Sequence, residues 1–186
     1  PMTARFEFDT DPVKLTSSGT GSIFATVQTR GLAAAGHLES FDHGLQVRRI
    51  WTDRTGTAID PAALHVGDAV YVEITLAAPA LGSGAAIENV AVVDPLPGGM
   101  EVEHPALATS ANSQLHLQDD YTPDRVEFRD DRVIIFTPAT PNQRSFHYVL
   151  RVVSVGRFAI PPIEASCMYN PALASRHGGG TLEVGR

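Results

Sequence analysis

AVYVEITLA, residues 69–77, decides the fold class. Val70, Val72, Ile74 and Leu76 occupy every second position, with Glu73 and Thr75 between them. Successive side chains of an extended chain point to opposite faces, so this spacing predicts a half-buried β-strand. The same period recurs in both directions along the chain. LQVRRIWT (45–52) places Leu45, Val47 and Trp51 on one side, and SIFATVQT (22–29) reads as a further strand. ENVAVVD (88–94) is dense enough in Val to predict burial on both faces. RVEFRDDRVIIF (125–136) reads as a hairpin turning at Asp130-Asp131, with Val126, Phe128, Val133 and Ile135 inside. There Arg129 and Arg132 are placed to pair with the two turn aspartates. SFHYVLRVVSV (145–155) is the longest expected strand, with Phe146, Tyr148, Leu150 and Val152 on one face. Residues 157–160, 163–169 and 181–184 complete the set.

Glycines and prolines separate these runs at short intervals, notably Gly67-Asp68, Pro97-Gly98-Gly99, Pro161-Pro162 and Pro171. No segment keeps an apolar stripe of helical period over three turns. GLAAAG (31–36) and PAALH (61–65) each have room for one helical turn at most. Short strands with turn residues between them predict an all-β, antiparallel sandwich of immunoglobulin-like type. Residues 21–186 read as one such domain, larger than a minimal immunoglobulin unit. Residues 1–20 are polar, an edge strand or a tail, and residues 106–123 read as a long polar surface loop.

Fourteen basic residues against 21 acidic leave a net charge of −7. An acidic surface repels phosphate backbones, which argues against a nucleic-acid partner. No apolar run approaches the roughly 18–20 residues that span a bilayer, so the segment is not expected to be membrane-inserted. The start, PMTARFEFDTDP, lacks the apolar core of a signal peptide, as expected of a piece of a longer chain. One cysteine makes no intrachain disulfide and rules out a cysteine-rich zinc site.

That cysteine, Cys167, is the obvious nucleophile candidate, but a nucleophilic thiol needs a nearby base. No histidine shares its strand; His147 and His177 are the two that could approach it in space. In a strand, Ile163, Ala165, Cys167 and Tyr169 share a face, and a small buried hydrophobe is the better reading of Cys167. The seven histidines, at 37, 43, 65, 104, 116, 147 and 177, show no metal-binding spacing. Asp119, Asp120 and Asp124, with Asp130 and Asp131 later, lack the spacing of a calcium loop. Gly178–Gly180 lacks the flanking residues of a phosphate loop and reads as a hinge into the last strand. No catalytic residue, metal or cofactor is expected from these patterns.

Several stretches in order are similar to one family. GLQVRRIWTDRTGTAI is followed by VGDAVYVEITL, VVDPLPGGMEVEHPAL, VEFRDDRVIIF and YVLRVVSVGRFAIPPIEASCMYNP, then a Gly-rich lead into TLEV. From about Gly21 to Val184 the chain resembles the last macroglobulin-like domain of bacterial α2-macroglobulins, the counterpart of the receptor-binding domain of the animal proteins. The resemblance implies a macroglobulin-like β-sandwich and a non-enzymatic role. It also implies a periplasmic parent, free or anchored to the inner membrane, that traps a broad range of target proteases. In such a parent a thioester of a C-x-E-Q motif captures the attacker. Cys167 is followed by Met168, Tyr169 and Asn170, so the thioester is not expected in this segment. The implied partners are the thioester domain and the other macroglobulin-like domains of the same parent. The implied site is the turn Met168, Tyr169, Asn170 and Pro171, a lid that keeps water from the acyl bond. Two readings of the turn stand side by side: the lid, and a Tyr169 that caps its own sandwich. A rival for the whole chain is an adhesion or carbohydrate-binding β-module of a cell-surface protein, for which Trp51 and the tyrosines would be the ligand-facing aromatics.

Overall fold

The computed structural model describes residues 16, 18–20, 24, 26, 38–103 and 122–186. The chain divides into two compact units, Pro1–Leu32 and Ala33–Arg186, and the described strands all lie in the second. Among the described residues there are thirteen strands, numbered in chain order, and no helix, hence none long and apolar enough to cross a membrane. The strand expected at 22–29, the helical turn at 31–36 and the loop at 106–123 lie outside the described residues, apart from Phe24, Thr26, Thr122 and Pro123.

Ten strands form two facing sheets of a β-sandwich. One has the order β1 (Phe41–His43), β12 (Asn170–His177), β11 (Ile163–Cys167), β5 (Ile87–Pro95), β8 (Arg132–Ala139) and β7 (Arg125–Phe128). The other has the order β2 (Gln46–Thr52), β4 (Ala69–Ala77), β9 (Arg144–Val152) and β6 (Met100–Val102). A third, small sheet joins β10 (Gly156–Ile160), β13 (Gly180–Gly185) and β3 (Leu64–His65). All neighbouring strands are antiparallel except β13 and β3, which run parallel. The antiparallel sandwich is the expected fold class.

The core is one cluster drawn from the inward face of every long strand: Val70, Val72, Ile74 and Leu76; Phe146, Leu150 and Val152; Val90 and Val92; Val133 and Ile135; Ile163 and Ala165. Burying each large aliphatic side chain contributes about 1.5–3 kcal/mol, so packing supplies most of the stability. The glycines of the DPLPGG stretch serve this packing. A Cβ on Gly98 or Gly99 would lie 2.9 or 2.6 Å from the ring of Phe158, and Gly99 also has φ +80°. The ring sits directly on bare backbone.

Burial differs from the sequence reading in four places. β4 lies between two partner strands, and Tyr71 and Thr75 on its second face are also buried, so it is not half-buried. β5, expected to be buried on both sides, buries only Val90, Val92 and Asp94, while Ala91 and Val93 are half-exposed. Val126 lies opposite Ile135 but is 38% exposed, because β7 is the edge strand of its sheet. Residues 61–65 make a turn and then β3, because Leu64 gains a core position beside Val184. At the β7–β8 turn Arg132 pairs with Asp131, as expected, while Arg129 pairs with Glu127.

Two polar links cross between the large sheets. Arg49 of β2 falls between Val47 and Trp51 on the inward face. Its guanidinium donates through Nη1 to Asp94 Oδ1 on the facing sheet and through Nη2 to the Pro161 carbonyl (2.8 Å). Tyr148 of β9 donates its hydroxyl to Asp94 Oδ2 at 2.5 Å. Asp94 and Arg49 side chains are 1% and 6% exposed, and the guanidinium lies 5.4 Å from the Trp51 ring centroid. Burial pushes the Asp94 carboxyl up, while Arg49 and the Tyr148 hydroxyl pull it back down. The second link is nearer the surface. The Val47 amide donates to Ser175 Oγ (3.0 Å), and Ser175 Oγ donates to Asp42 Oδ1 (2.6 Å). Arg48 donates to both Asp42 oxygens (3.0 and 2.6 Å). Chiefly through the Arg48 bond, with Ser175 assisting, the Asp42 carboxyl is held at about 2.

Removing one member of the inner link leaves a buried group without its partner. Asp94→Ala is expected to cost about 3–5 kcal/mol because the Arg49 charge is stranded, and Tyr148→Phe about 1–3 kcal/mol. The triple variant Arg49→Met, Asp94→Leu, Tyr148→Phe should recover most of the Asp94→Ala loss, since a well-packed apolar set replaces the ions. Urea unfolding midpoints check all three.

For Asp42 the folded value lies below the usual 3.8. Its stabilisation is therefore present above about pH 4 and is lost as the pH falls towards 2. Asp42→Asn should lower stability at pH 7 and flatten that acid loss, by an amount that shrinks in high salt because the pair is partly exposed. Thermal unfolding at pH 2, 3, 4 and 7 reads this out.

Candidate functional site: the Met168–Tyr169 turn

β11 ends at Cys167 and β12 begins at Asn170, so Met168 and Tyr169 are the two loop residues of a hairpin in which Cys167 lies opposite Asn170. Two-residue hairpin loops favour residues with positive φ, which match the twist of the strands. Neither Met168 nor Tyr169 has one. The mismatch is absorbed by a bulge: pairing jumps from Ser166 opposite Ala174 to Cys167 opposite Asn170. Pro171 sits inside this irregularity, where its missing N–H costs no ladder bond. The Asn170 side chain accepts the Ala172 amide at 3.2 Å, bracing the start of β12.

The turn is also tied to the next strand. The Met168 amide donates to the Asn89 carbonyl of β5 at 2.9 Å. The Cys167 thiol donates to the Glu88 carbonyl at 3.5 Å. The backbone of the tip is thus bound while its side chains face outward: Met168 is 57% and Tyr169 80% exposed.

The expected single face of Ile163, Ala165, Cys167 and Tyr169 therefore breaks at its last member. The first three are buried, and the bulge turns Tyr169 out to solvent. Among the described residues the Tyr169 hydroxyl has no hydrogen-bond partner, so it does not cap the sandwich as the second reading required. Cys167 is buried. Neither candidate base reaches it. His177 lies opposite Ile163 at the far end of β11. His147 lies opposite Glu73 in the other sheet, on the face turned away from the core.

The remaining candidates are not brought together. His43 stacks on Phe41 with centroids 4.8 Å apart, and His65 lies 3.9 Å from Asp68. His177 is held below the usual histidine range, first by burial and then by Arg48 and Arg49. His37, His104, His116, Asp119 and Asp120 lie outside the described residues. Among the described residues no group of three or more His, Cys, Asp or Glu side chains could hold a metal ion. Gly178 and Gly179 link β12 to β13, which opens on Gly180, and all three have positive φ. Trp51 is buried under Arg49.

Sequence reasoning missed the β5 bulge and the Arg49–Asp94–Tyr148 link. The link had a readable signal: each member occupies an inward position between apolar neighbours.

The exposed tip and the buried strand below it predict opposite responses. Tyr169→Ala should change the stability of the chain by less than about 0.5 kcal/mol, as for a surface side chain. Ile163→Ala, six residues away at the core end of the same strand, should cost about 2–5 kcal/mol. Chemical unfolding of the two variants side by side distinguishes them.

A family model described as the bacterial alpha-2-macroglobulin MG10 domain matches residues 44–172. The alpha-2-macroglobulin of Pasteurella multocida is 29% identical over 135 residues, covering 73% of this chain and 6% of that protein. The alpha-2-macroglobulin homolog of Yersinia pestis is 30% identical over 149 residues, covering 71% of this chain and 7% of that protein. The crystal structure of Salmonella alpha-2-macroglobulin reacted with methylamine superimposes with a TM-score of 0.70 at 26% identity, over 83% of this chain and 10% of that one. The chain thus spans less than a tenth of the length of these two curated relatives.

Proposed function

The chain belongs to the bacterial α2-macroglobulin family, and from that premise we propose that it is the C-terminal domain of a broad-spectrum protease trap. In this reading it packs against the thioester domain of its parent chain, shields the acyl bond, and moves away when a protease cuts the parent. It performs no catalysis itself. The site of action is the periplasm, with the parent free or anchored to the inner membrane.

The observation that carries the reading is the tip of the β11–β12 hairpin. Two large side chains, Met168 and Tyr169, stand out in solvent on a backbone bonded to the neighbouring strand. A thioester hydrolyses unless water is kept from it. A polarizable thioether beside an amphipathic ring covers such a bond with largely apolar surface, and both groups are poor acyl acceptors at neutral pH. The Salmonella relative supports the reading: its structure is of a protein reacted with methylamine, an amine nucleophile of the kind that opens acyl bonds. The attacked bond belongs elsewhere in the parent, since Cys167 is buried and lacks the C-x-E-Q context. The adhesion reading loses its main aromatic, because Trp51 faces the core.

The test uses the full-length parent. Met168→Ala and Tyr169→Ala are made separately, and free thiol is followed over time without protease. Both variants should release thiol faster than the unaltered protein, by about tenfold where the lid contributes about 1.4 kcal/mol to the barrier. Unchanged release from correctly folded variants would overturn the shielding role.

A further inference from the structure

We propose that Asn89 is the positioning residue of the Met168–Tyr169 turn, its left-handed backbone in the β5 bulge aiming the carbonyl that holds the tip. The inference rests on the shielding role proposed above and names a residue, distant in sequence, on which that role depends.

Asn89 is the single non-glycine residue with positive φ among the described residues, at +56°. A residue with a Cβ pays for that conformation, and asparagine tolerates it best. The conformation belongs to a bulge in the pairing with the next strand. Pairing between β5 and β8 jumps from Ile87 opposite Ala139 to Val90 opposite Thr137. Glu88 and Asn89 together thus stand against Pro138 alone. Such a bulge leaves the extra residue unpaired and bends its strand locally.

On its other edge, β5 meets the end of β11. There the Asn89 carbonyl accepts the Met168 amide, and the preceding carbonyl, of Glu88, accepts the Cys167 thiol. Two consecutive acceptors on the bulge thus hold the last residue of β11 and the first residue of the tip. The hairpin does not set this direction unaided, since its loop lacks positive φ and its strands shift register at Cys167. The tip points where the bulge directs it. The chain of causes runs from the bulge to Asn89, and from Asn89 to Met168.

Backbone conformation, rather than side-chain chemistry, is therefore the property that matters at position 89. Glycine adopts positive φ freely, while a β-branched residue resists it. The experiment compares Asn89→Val, Asn89→Gly and Tyr169→Ala in the full-length parent, without protease. Thiol release is measured together with hydrogen exchange of the Met168 amide. Asn89→Val should release thiol about tenfold faster and exchange the Met168 amide about tenfold faster, the population shift that a disfavoured left-handed residue imposes. Asn89→Gly should match the unaltered protein in both readouts, and the unfolding midpoint should move little. If Asn89→Val fails to fold, Asn89→Ala takes its place.

Tyr169→Ala faster with Asn89→Val unchanged would overturn the positioning role and leave the shielding role standing. Asn89→Gly as fast as Asn89→Val would also overturn it, since the side chain would then be the cause. Tyr169→Ala without effect would overturn the shielding role instead. In that case the Met168 amide still decides whether Asn89 holds the turn, and equal protection in all Asn89 variants overturns that as well.

Discussion

A single carboxylate, buried between two sheets, constrains the arrangement of this domain. Apolar side chains pack without direction, and many registers of Val-rich strands bury similar area. Asp94 is not so permissive. It needs the guanidinium of Arg49 and the hydroxyl of Tyr148 at bonding distance, and these come from β2 and β9 of the facing sheet. A one-residue slip of any of the three strands would turn the side chain to the opposite face. The remaining partners would then be left charged or unpaired in an apolar interior, at a cost of several kcal/mol. The link therefore discriminates between registers more than it adds net stability. Arg49 extends it to the Pro161 carbonyl, so the connection between β10 and β11 is located by the same group.

The strands were legible because alternation is a local property. Each stretch from residue 45 to 52, 69 to 77 and 145 to 152 announces its inward face by parity alone. The same parity contained the buried link, since Arg49, Asp94 and Tyr148 all take inward positions, but partners 45 and 54 residues apart cannot be matched from one sequence. Where the reading departed from the structure, position within the sheet was the reason. Val126 has the right parity and the wrong strand, an edge. β3 is two residues long and exists because β13 passes beside it, which no local pattern encodes.

The hairpin tip was legible in a different way. Cys167 to Pro171 stood out by family resemblance, and the periodicity of β11 placed Tyr169 on the wrong side. A bulge moves residues out of phase, and it exists only in the pairing with a neighbour: here β12 for Cys167, and β8 for Asn89. Sequence pattern locates strands, while contacts between strands locate the side chains at their ends. Asn89 is the clearest case. An Asn inside a Val-rich strand looks like a blemish, and only the carbonyl it presents to Met168 gives it a place.

The way the ends of the unit are stitched together bears on how it is made. The Asp42–Ser175 bond joins residues 133 positions apart, the Val47–Ser175 bond joins residues 128 apart, and β13 closes on β3. A nascent chain emerging from the ribosome therefore holds the first half of each sheet long before its partners exist. Contacts so distant make for slow folding, because loop closure must be met before packing rewards it. The domain can complete itself only after β12 and β13 have left the exit tunnel. Until then its Val-rich strands present open edges.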